Sequence, residues 1–159
     1  RLVAAMPAYR QGFERALAVA QMAKLSDEDV QHLYGTDWTG IAPRLFGLGV
    51  GTILFSHGAG GATLLGRDGL RLHVPVADHP SPVIDTMGAG DATLASLVAS
   101  VLREGWPALA ADWQRHLAQA MRVAAATCRQ PGAELVPAWT PGAEPVITPS
   151  RQGTDGETG

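Results

Sequence analysis

The six residues "VGTILF", Val50 to Phe55, carry no charge and no polar alternation. A strand with one face in water would alternate polar and apolar residues, so this one is expected to be buried on both faces. Double burial needs a layer above and a layer below the sheet, and segments at helical spacing flank the run. Pro7, Tyr9, Phe13, Ala16, Leu17 and Ala20 predict a helix opening at Pro7. "MAKL", Met22 to Leu25, reads as a short strand. Ser26 then caps a helix whose start carries Asp27, Glu28 and Asp29, acids that suit its positive end, and Gly35 stops it. "TDWTGIAPRLFGLG" predicts another helix, weakened by Gly40 and Pro43. The expected architecture is an α/β layered fold with a largely parallel sheet.

Past the buried run, residues from Ala62 to Leu65 and from Leu70 to Val76 predict a hairpin turning at Asp68 and Gly69. "PVID", Pro82 to Asp85, predicts the next strand. A helix is expected from Gly88 to Glu104, with Leu94, Leu97, Val98, Val101 and Leu102 on one face and Gly105 as its end. Pro107 is expected to start the next, with Leu109, Trp113, Leu117, Met121 and Ala124 facing inward. After Cys128 the chain is rich in Pro and Gly, which predicts a loop and then a flexible tail. Residues 1–140 are therefore expected to form the folded portion and 141–159 the tail.

The length of 159 residues suffices for one ordinary domain, and 46% apolar against 17% charged residues excludes a disordered class. A net charge of -3 leaves no basic footprint for nucleic acid. The most apolar run, "LFGLGVGTILF", is too short and too often broken by glycine to cross a bilayer. The single cysteine, Cys128, excludes an internal disulfide and fits a reducing compartment, so a cytoplasmic location is expected. Arg1 is not an initiator Met, and a piece of a longer protein is expected.

The chemistry concentrates in "VIDTMGAGDAT", Val83 to Thr93. A strand, a glycine-rich turn and a helix follow one another. Glycine lets ligand atoms approach the backbone, and the N–H groups of Gly88, Ala89, Gly90 and Asp91 would be free donors at a positive helix end. Such an arrangement holds an anion, usually phosphate. Asp91 would repel phosphate unless it takes a proton from a hydroxyl that attacks it. The alternative is that Asp91 merely caps or charges the first turn while the glycines make a tight connection. Spacing alone favours that alternative, since the turn is neither a Walker A loop nor a G-x-G-x-x-G fingerprint.

"DTMGAGD" resembles the D-T-x-G-A-G-D signature of the ribokinase-like, or PfkB, family of carbohydrate kinases. "GVGTILFSHGAGGATLL" is similar to the family's strand and T-L-G-x-x-G turn, and "MAKLSDEDVQHLYG" to the K-L-S-D-E-E-L segment of bacterial fructokinases. "AATCRQPGA" is similar to the helix-to-loop stretch near the family's carboxyl end. The resemblance implies the carboxyl-terminal portion of a Rossmann-like ribokinase fold with a small β-hairpin, and ATP-dependent phosphorylation of a sugar primary hydroxyl, with fructose preferred. It implies Asp91 as the base, Gly88, Ala89 and Gly90 as the anion hole, and Ser56, Gly58 and Gly61 beside the ATP phosphates. It implies a monovalent cation, potassium, at Asp85. Ser26 and Asp29 stand where many members carry an Asn-x-x-Glu pair that organises Mg²⁺. Ser56 keeps the hydroxyl of the usual Thr, whereas Asp29 is shorter than Glu and also explicable as a cap. Thr93 and Ser96 depart from the usual Phe and Gly or Ala. Nothing in the chain resembles the family's amino-terminal half, which carries most sugar-binding residues.

The expected partner is a small-molecule sugar, with a homodimer admitted and neither nucleic acid nor membrane. Two other readings stand beside this one: an inactive nucleotide-binding or assembly module, and an α/β-hydrolase suggested by "LFSHGAGG". The hydrolase lacks a G-x-S-x-G elbow around any serine. A dinucleotide site is disfavoured because "GLGVGT" precedes its strand. Trp38, Trp106, Trp113 and Trp139 are read as packing or edge residues, Cys128 as a small core residue, and Glu134 as solvated.

Overall fold

The computed structural model describes residues 2–132, with side chains from residue 6. Trp139, Glu134 and the tail lie outside the described residues. In chain order the elements are α1 (Leu2–Leu17), β1 (Met22–Ser26), α2 (Asp27–Tyr34), α3 (Trp38–Leu48), β2 (Thr52–Ser56), β3 (Ala62–Gly66), β4 (Arg71–Val74), α4 (Ala89–Glu104) and α5 (Ala110–Thr127). The four strands form one sheet in the order β1-β2-β3-β4.

The doubly buried strand is observed. Ile53 and Phe55 of β2 point into a core with Leu17, Ala23, Leu25, Val30, Ile41 and Leu45, contributed by β1 and α1 to α3. Leu54 points the other way, with Leu64, into a core built by Leu97 of α4 and Trp113, Leu117 and Met121 of α5. Alternation at period two thus sends one strand into two cores, and helices cover both faces.

The sheet is mixed, not largely parallel. Only β1 and β2 run parallel; β2–β3 and β3–β4 are antiparallel. Connection length explains this: α2 and α3 provide the crossover that a parallel pair needs, whereas β2, β3 and β4 follow one another through tight turns. The hairpin turn at Asp68 and Gly69 forms as expected, with Gly69 at φ +93° and Leu70 N–H donating to Asp68 Oδ1 at 3.1 Å.

Other expectations are corrected. The first helix begins at Leu2, not Pro7, because "LVAAM" is a good helix former; Pro7 lies inside α1. The fifth expected strand, Pro82 to Asp85, is a loop. Ile84 and Asp85 N–H groups both donate to Cys128 O, at 2.8 and 3.3 Å, which pins this stretch to the end of α5 and not to a sheet. The last helix starts at Ala110 and leaves Pro107 in the preceding loop, with Leu109 exposed. In α4 the buried positions are Ala92, Thr93, Leu97 and Ser100, while Val98 and Leu102 are exposed. Ala124 of α5 is only half-buried.

Candidate active site

The loop before α4 ends at Gly88, whose φ of +79° belongs to the left-handed region that glycine enters freely. Gly88 is the N-cap and has no side chain to offer, so the first turn is uncapped. Ala89 N–H bends back to Thr86 O at 3.3 Å, and Ala92 N–H closes the first helical turn onto Gly88 O at 2.8 Å. The N–H groups of Gly90 and Asp91, at the positive helix end, have no acceptor within the helix. Gly88, Ala89 and Gly90 are half-buried and Asp91 is exposed.

Asp91 is the third residue of α4, the place from which a carboxylate can reach back to the cap. Asp29 holds the equivalent place in α2 and does so. Its Oδ2 accepts from Ser26 N–H at 2.8 Å, and Ser26 Oγ accepts from Asp29 N–H at 3.0 Å. The Asp91 carboxylate makes no hydrogen bond or ion pair with any described residue.

Register places the second group of residues. Ser26 and Ser56 are direct partners across the parallel pair β1–β2. With Met22, Lys24 and Leu54 they lie on the sheet face that α4 and α5 cover. A tight 3₁₀ turn, Gly58–Gly60, follows β2, and His57 N–H donates to Gly61 O at 2.8 Å to close it. Gly61 needs glycine: its φ is +89°, and a Cβ there would meet Val74 O and come within 2.7 Å of Pro75 Cα. Lys24 reaches across to α4, where a Cβ on Gly90 would lie 2.8 Å from its Nζ. Ser26, Ser56 and the Gly88–Asp91 turn are therefore brought to one face and one end of the sheet. A concavity of about 420 Å³ is lined by residues that precede β1 and β2, including Gln21 and Gly51, at the opposite end of those strands.

A family model described as pfkB family carbohydrate kinase matches residues 1–140. The chain belongs to the PfkB family. Over 100 residues it is 35% identical to a fructokinase of Klebsiella pneumoniae, covering 62% of this chain and 32% of that protein. Its fold is similar to the crystal structure of aminoimidazole riboside kinase from Salmonella enterica, complexed with aminoimidazole riboside and an ATP analog. The TM-score is 0.71 at 28% identity, over 80% of this chain and 42% of that one. A fructokinase from Vibrio cholerae O395, in a fructose, ADP and calcium ion bound form, shares the fold with a TM-score of 0.69 at 23% identity, over 78% and 40%. The chain thus spans less than half the length of these relatives.

The PfkB signature's first aspartate, Asp85, acts as a clamp. Its Oδ1 accepts from Met87 N–H at 2.9 Å and its Oδ2 from Gly132 N–H at 3.1 Å, tying the turn before α4 to the end of α5. These N–H groups, Met87's first, hold its carboxyl below the usual carboxylate range. Asp85 is not brought to the Ser26–Ser56 pair by any contact among the described residues.

Two features escaped sequence reasoning. Lys24 is one; only its place in the "K-L-S-D" segment hinted at it. The other is a chain of side chains beside Gly58–Gly60. Asp27 binds His57 Nδ1 at 2.9 Å, His57 Nε2 meets Thr63 Oγ1 at 2.9 Å, and Thr63 Oγ1 meets His73 Nδ1 at 3.1 Å. Trp38 packs on His57 at 5.5 Å between ring centroids, so this tryptophan supports the turn as well as the core. No sequence signal joins Asp27 to His57, since their meeting depends on the parallel register of β1 and β2. Among the described residues no three His, Cys, Asp or Glu side chains gather as a ready-made metal site.

Proposed function

We propose that this chain supplies the nucleotide-binding and catalytic-base portion of an ATP-dependent sugar kinase. The reading rests above all on the unengaged Asp91 carboxylate beside free N–H groups in a PfkB chain. Asp91 accepts the proton of a sugar primary hydroxyl. The resulting oxygen forms a bond to the γ-phosphorus of ATP, the bond from that phosphorus to the β–γ bridging oxygen breaks, and ADP leaves with the electron pair. The Gly90 and Asp91 N–H groups, with that of Gly88 at the same turn, stabilise negative charge on the phosphoryl group in transit, while Ala89 N–H is held by Thr86 O. Ser56, Gly58 and Gly61 line the path of the remaining phosphates, where a short hydroxyl and bare backbone suit close approach. The preferred sugar is fructose; ribose, a nucleoside or 2-keto-3-deoxygluconate fit the same chemistry.

Mg²⁺ binds chiefly to phosphate oxygens and water and needs few protein ligands. When bound it screens the phosphates. Asp29 spends Oδ2 on the cap of α2, which leaves Oδ1 to orient water on the metal. At Asp85 two of about four carboxylate lone-pair positions serve N–H groups. The rest suit a weakly held monovalent cation.

In the protein that carries this chain at full length, Asp91→Asn is expected to abolish transfer to a panel of sugars while ATP still binds. Undiminished sugar phosphorylation by that variant removes Asp91 from the mechanism. The second reading is a nucleotide-binding or assembly module without turnover. A turnover assay on the protein that carries this chain at full length separates the two readings. The kinase reading expects weak binding and no turnover from this stretch, and turnover once the full-length protein is assayed.

A further inference from the structure

Four polar side chains cross the sheet in the order of its strands. Asp27 opens α2 just past β1, His57 follows β2, Thr63 lies in β3 and His73 in β4. Both Asp27 oxygens approach His57 Nδ1, at 2.9 and 3.0 Å. His57 Nε2 meets Thr63 Oγ1 at 2.9 Å, and Thr63 Oγ1 meets His73 Nδ1 at 3.1 Å. The row lies on the sheet face of Phe55 and Trp38, away from Ser26 and Ser56. Trp38 covers His57, and the Arg71 guanidinium stacks on Trp38 at 5.1 Å. Carboxylate, imidazole and hydroxyl in that order are also the parts of a nucleophilic triad. Thr63 cannot serve in one: it is 3% exposed, and His73 shares its oxygen.

Donor and acceptor capacity fixes the direction of the row. An ionised carboxylate only accepts, so His57 Nδ1 carries a proton toward Asp27. In a neutral His57 the bare Nε2 accepts, and the Thr63 hydroxyl donates to it. That spends the one proton of Thr63, so its oxygen accepts from His73, whose Nδ1 carries a proton in turn. Each hydrogen bond forces the next. The backbone shows what the row holds. His57 N–H donates to Gly61 O at 2.8 Å, and His57 O accepts from Gly60 N–H at 2.9 Å, so both ends of the turn close on this one residue. Gly60 packs so closely on it that a Cβ there would lie 3.2 Å from the His57 Cβ.

We propose that His57 is a positioning residue for the nucleotide phosphates, locked as its Nδ1–H tautomer by Asp27 on one side and by Thr63 and His73 on the other. The proposal rests on the phosphotransfer reading above and deepens it. His57 acts through the backbone of Gly58–Gly60, without touching the phosphates itself. Two glycines and an alanine have no long side chain with which to hold their own turn. The Nε2–H tautomer would set a bare nitrogen against the Asp27 carboxylate, lone pair to lone pair, so the row admits one state of the ring. A turn fixed before the ligand arrives lowers the ordering cost of binding.

The test reads the ring protons in the full-length protein that carries this chain, without ligand, by nitrogen NMR of the histidine side chains at about pH 8, above the ordinary titration range of histidine. His57 and His73 are both expected as Nδ1–H with a bare Nε2. In Asp27→Asn, His57 is expected in both forms, since an amide donates as well as accepts. Calorimetry then compares ATP with adenosine, Mg²⁺ present. Asp27→Asn and Thr63→Val are expected to weaken ATP about three- to tenfold, the worth of one hydrogen bond, and to leave adenosine unchanged. Thr63→Ser keeps the hydroxyl and should bind ATP as wild type does. An Nε2–H tautomer at His57 in the wild type overturns the proposal and leaves the kinase reading standing. So does ATP binding by Asp27→Asn and Thr63→Val as tight as by wild type, or an equal loss in Thr63→Val and Thr63→Ser. A wild type that does not bind ATP overturns the nucleotide reading itself, and the positioning role of His57 with it.

Discussion

Asp29 and Asp91 hold the same position in their helices, yet one is spent on folding and the other is free. The difference lies one turn earlier, where Ser26 offers a hydroxyl and Gly88 offers nothing. Ser26→Ala should therefore cost about 0.5–2 kcal/mol in urea unfolding, the usual value of a cap. Asp91→Asn should change stability by less than about 0.5 kcal/mol, as surface substitutions do. A large loss from Asp91→Asn would mean that the carboxylate supports the fold after all. Asp85 gives a pH signature. Its folded carboxyl is held below the unfolded value of 3.8, so its contribution to stability is present above that value and is lost as pH falls through the lower folded one. Melting temperatures of wild type and Asp85→Asn, followed from neutral pH to about pH 2, should differ at neutral pH and converge below about pH 4. At this scale the "DTMGAGD" motif marked the turn that opens α4, while capping could not be assigned from spacing. Both aspartates precede apolar runs, and only coordinates show which one turns back.

Element boundaries followed from patterning where the pattern had one physical cause. The continuous apolar run of β2 announced two cores, and both exist, with Leu54 in one and Ile53 and Phe55 in the other. Leu54→Ala opens a cavity at a position with no exposure and should cost about 2–5 kcal/mol, read as a lowered midpoint in urea. A loss well under 1 kcal/mol would deny that β2 is buried on both faces. Strand direction was not legible in the same way. Apolar runs look alike in parallel and antiparallel pairs, and the mixed sheet follows from connection length, which only the turn after β2 reveals. "PVID" has strand composition but no neighbour to pair with, because Cys128 O takes its N–H groups. The turn at Gly58–Gly60 is held by the Asp27–His57–Thr63 chain, which composition could not foretell. His57→Phe keeps the packing on Trp38 but abandons Asp27. If that chain places the turn, the variant should weaken ATP binding with little change in fold, measured by calorimetry beside circular dichroism.

Across the whole chain, α4 carries the sharpest mismatch between pattern and burial. Its apolar residues were expected on one inward face, yet Leu102 is 82% exposed and Met87, just before the helix, 63%. Asp91, Val98 and Leu102 are spaced about two turns and then about one turn apart, so they share one side of α4, away from the side that Leu97 and Ser100 bury. A helix apolar on two sides is built to be covered on two sides, and among the described residues only α5 and the sheet cover one. The chain spans less than half the length of its relatives, which makes the bare stripe intelligible without assigning its cover. The stripe matters in handling the chain by itself, since contiguous exposed apolar surface drives association. The pair Val98→Lys and Leu102→Lys should lower the mass seen by light scattering at high protein concentration, while the melting temperature stays within the small range of surface substitutions, about 0.5 kcal/mol in stability. A self-associating wild type whose mass the two lysines leave unchanged would place the contact elsewhere, with Trp106 and Val19 at the far end of the strands next to be tested. Asp91 stands about 16 Å along the helix from Leu102, so the two lysines should leave ATP binding to the isolated chain unchanged.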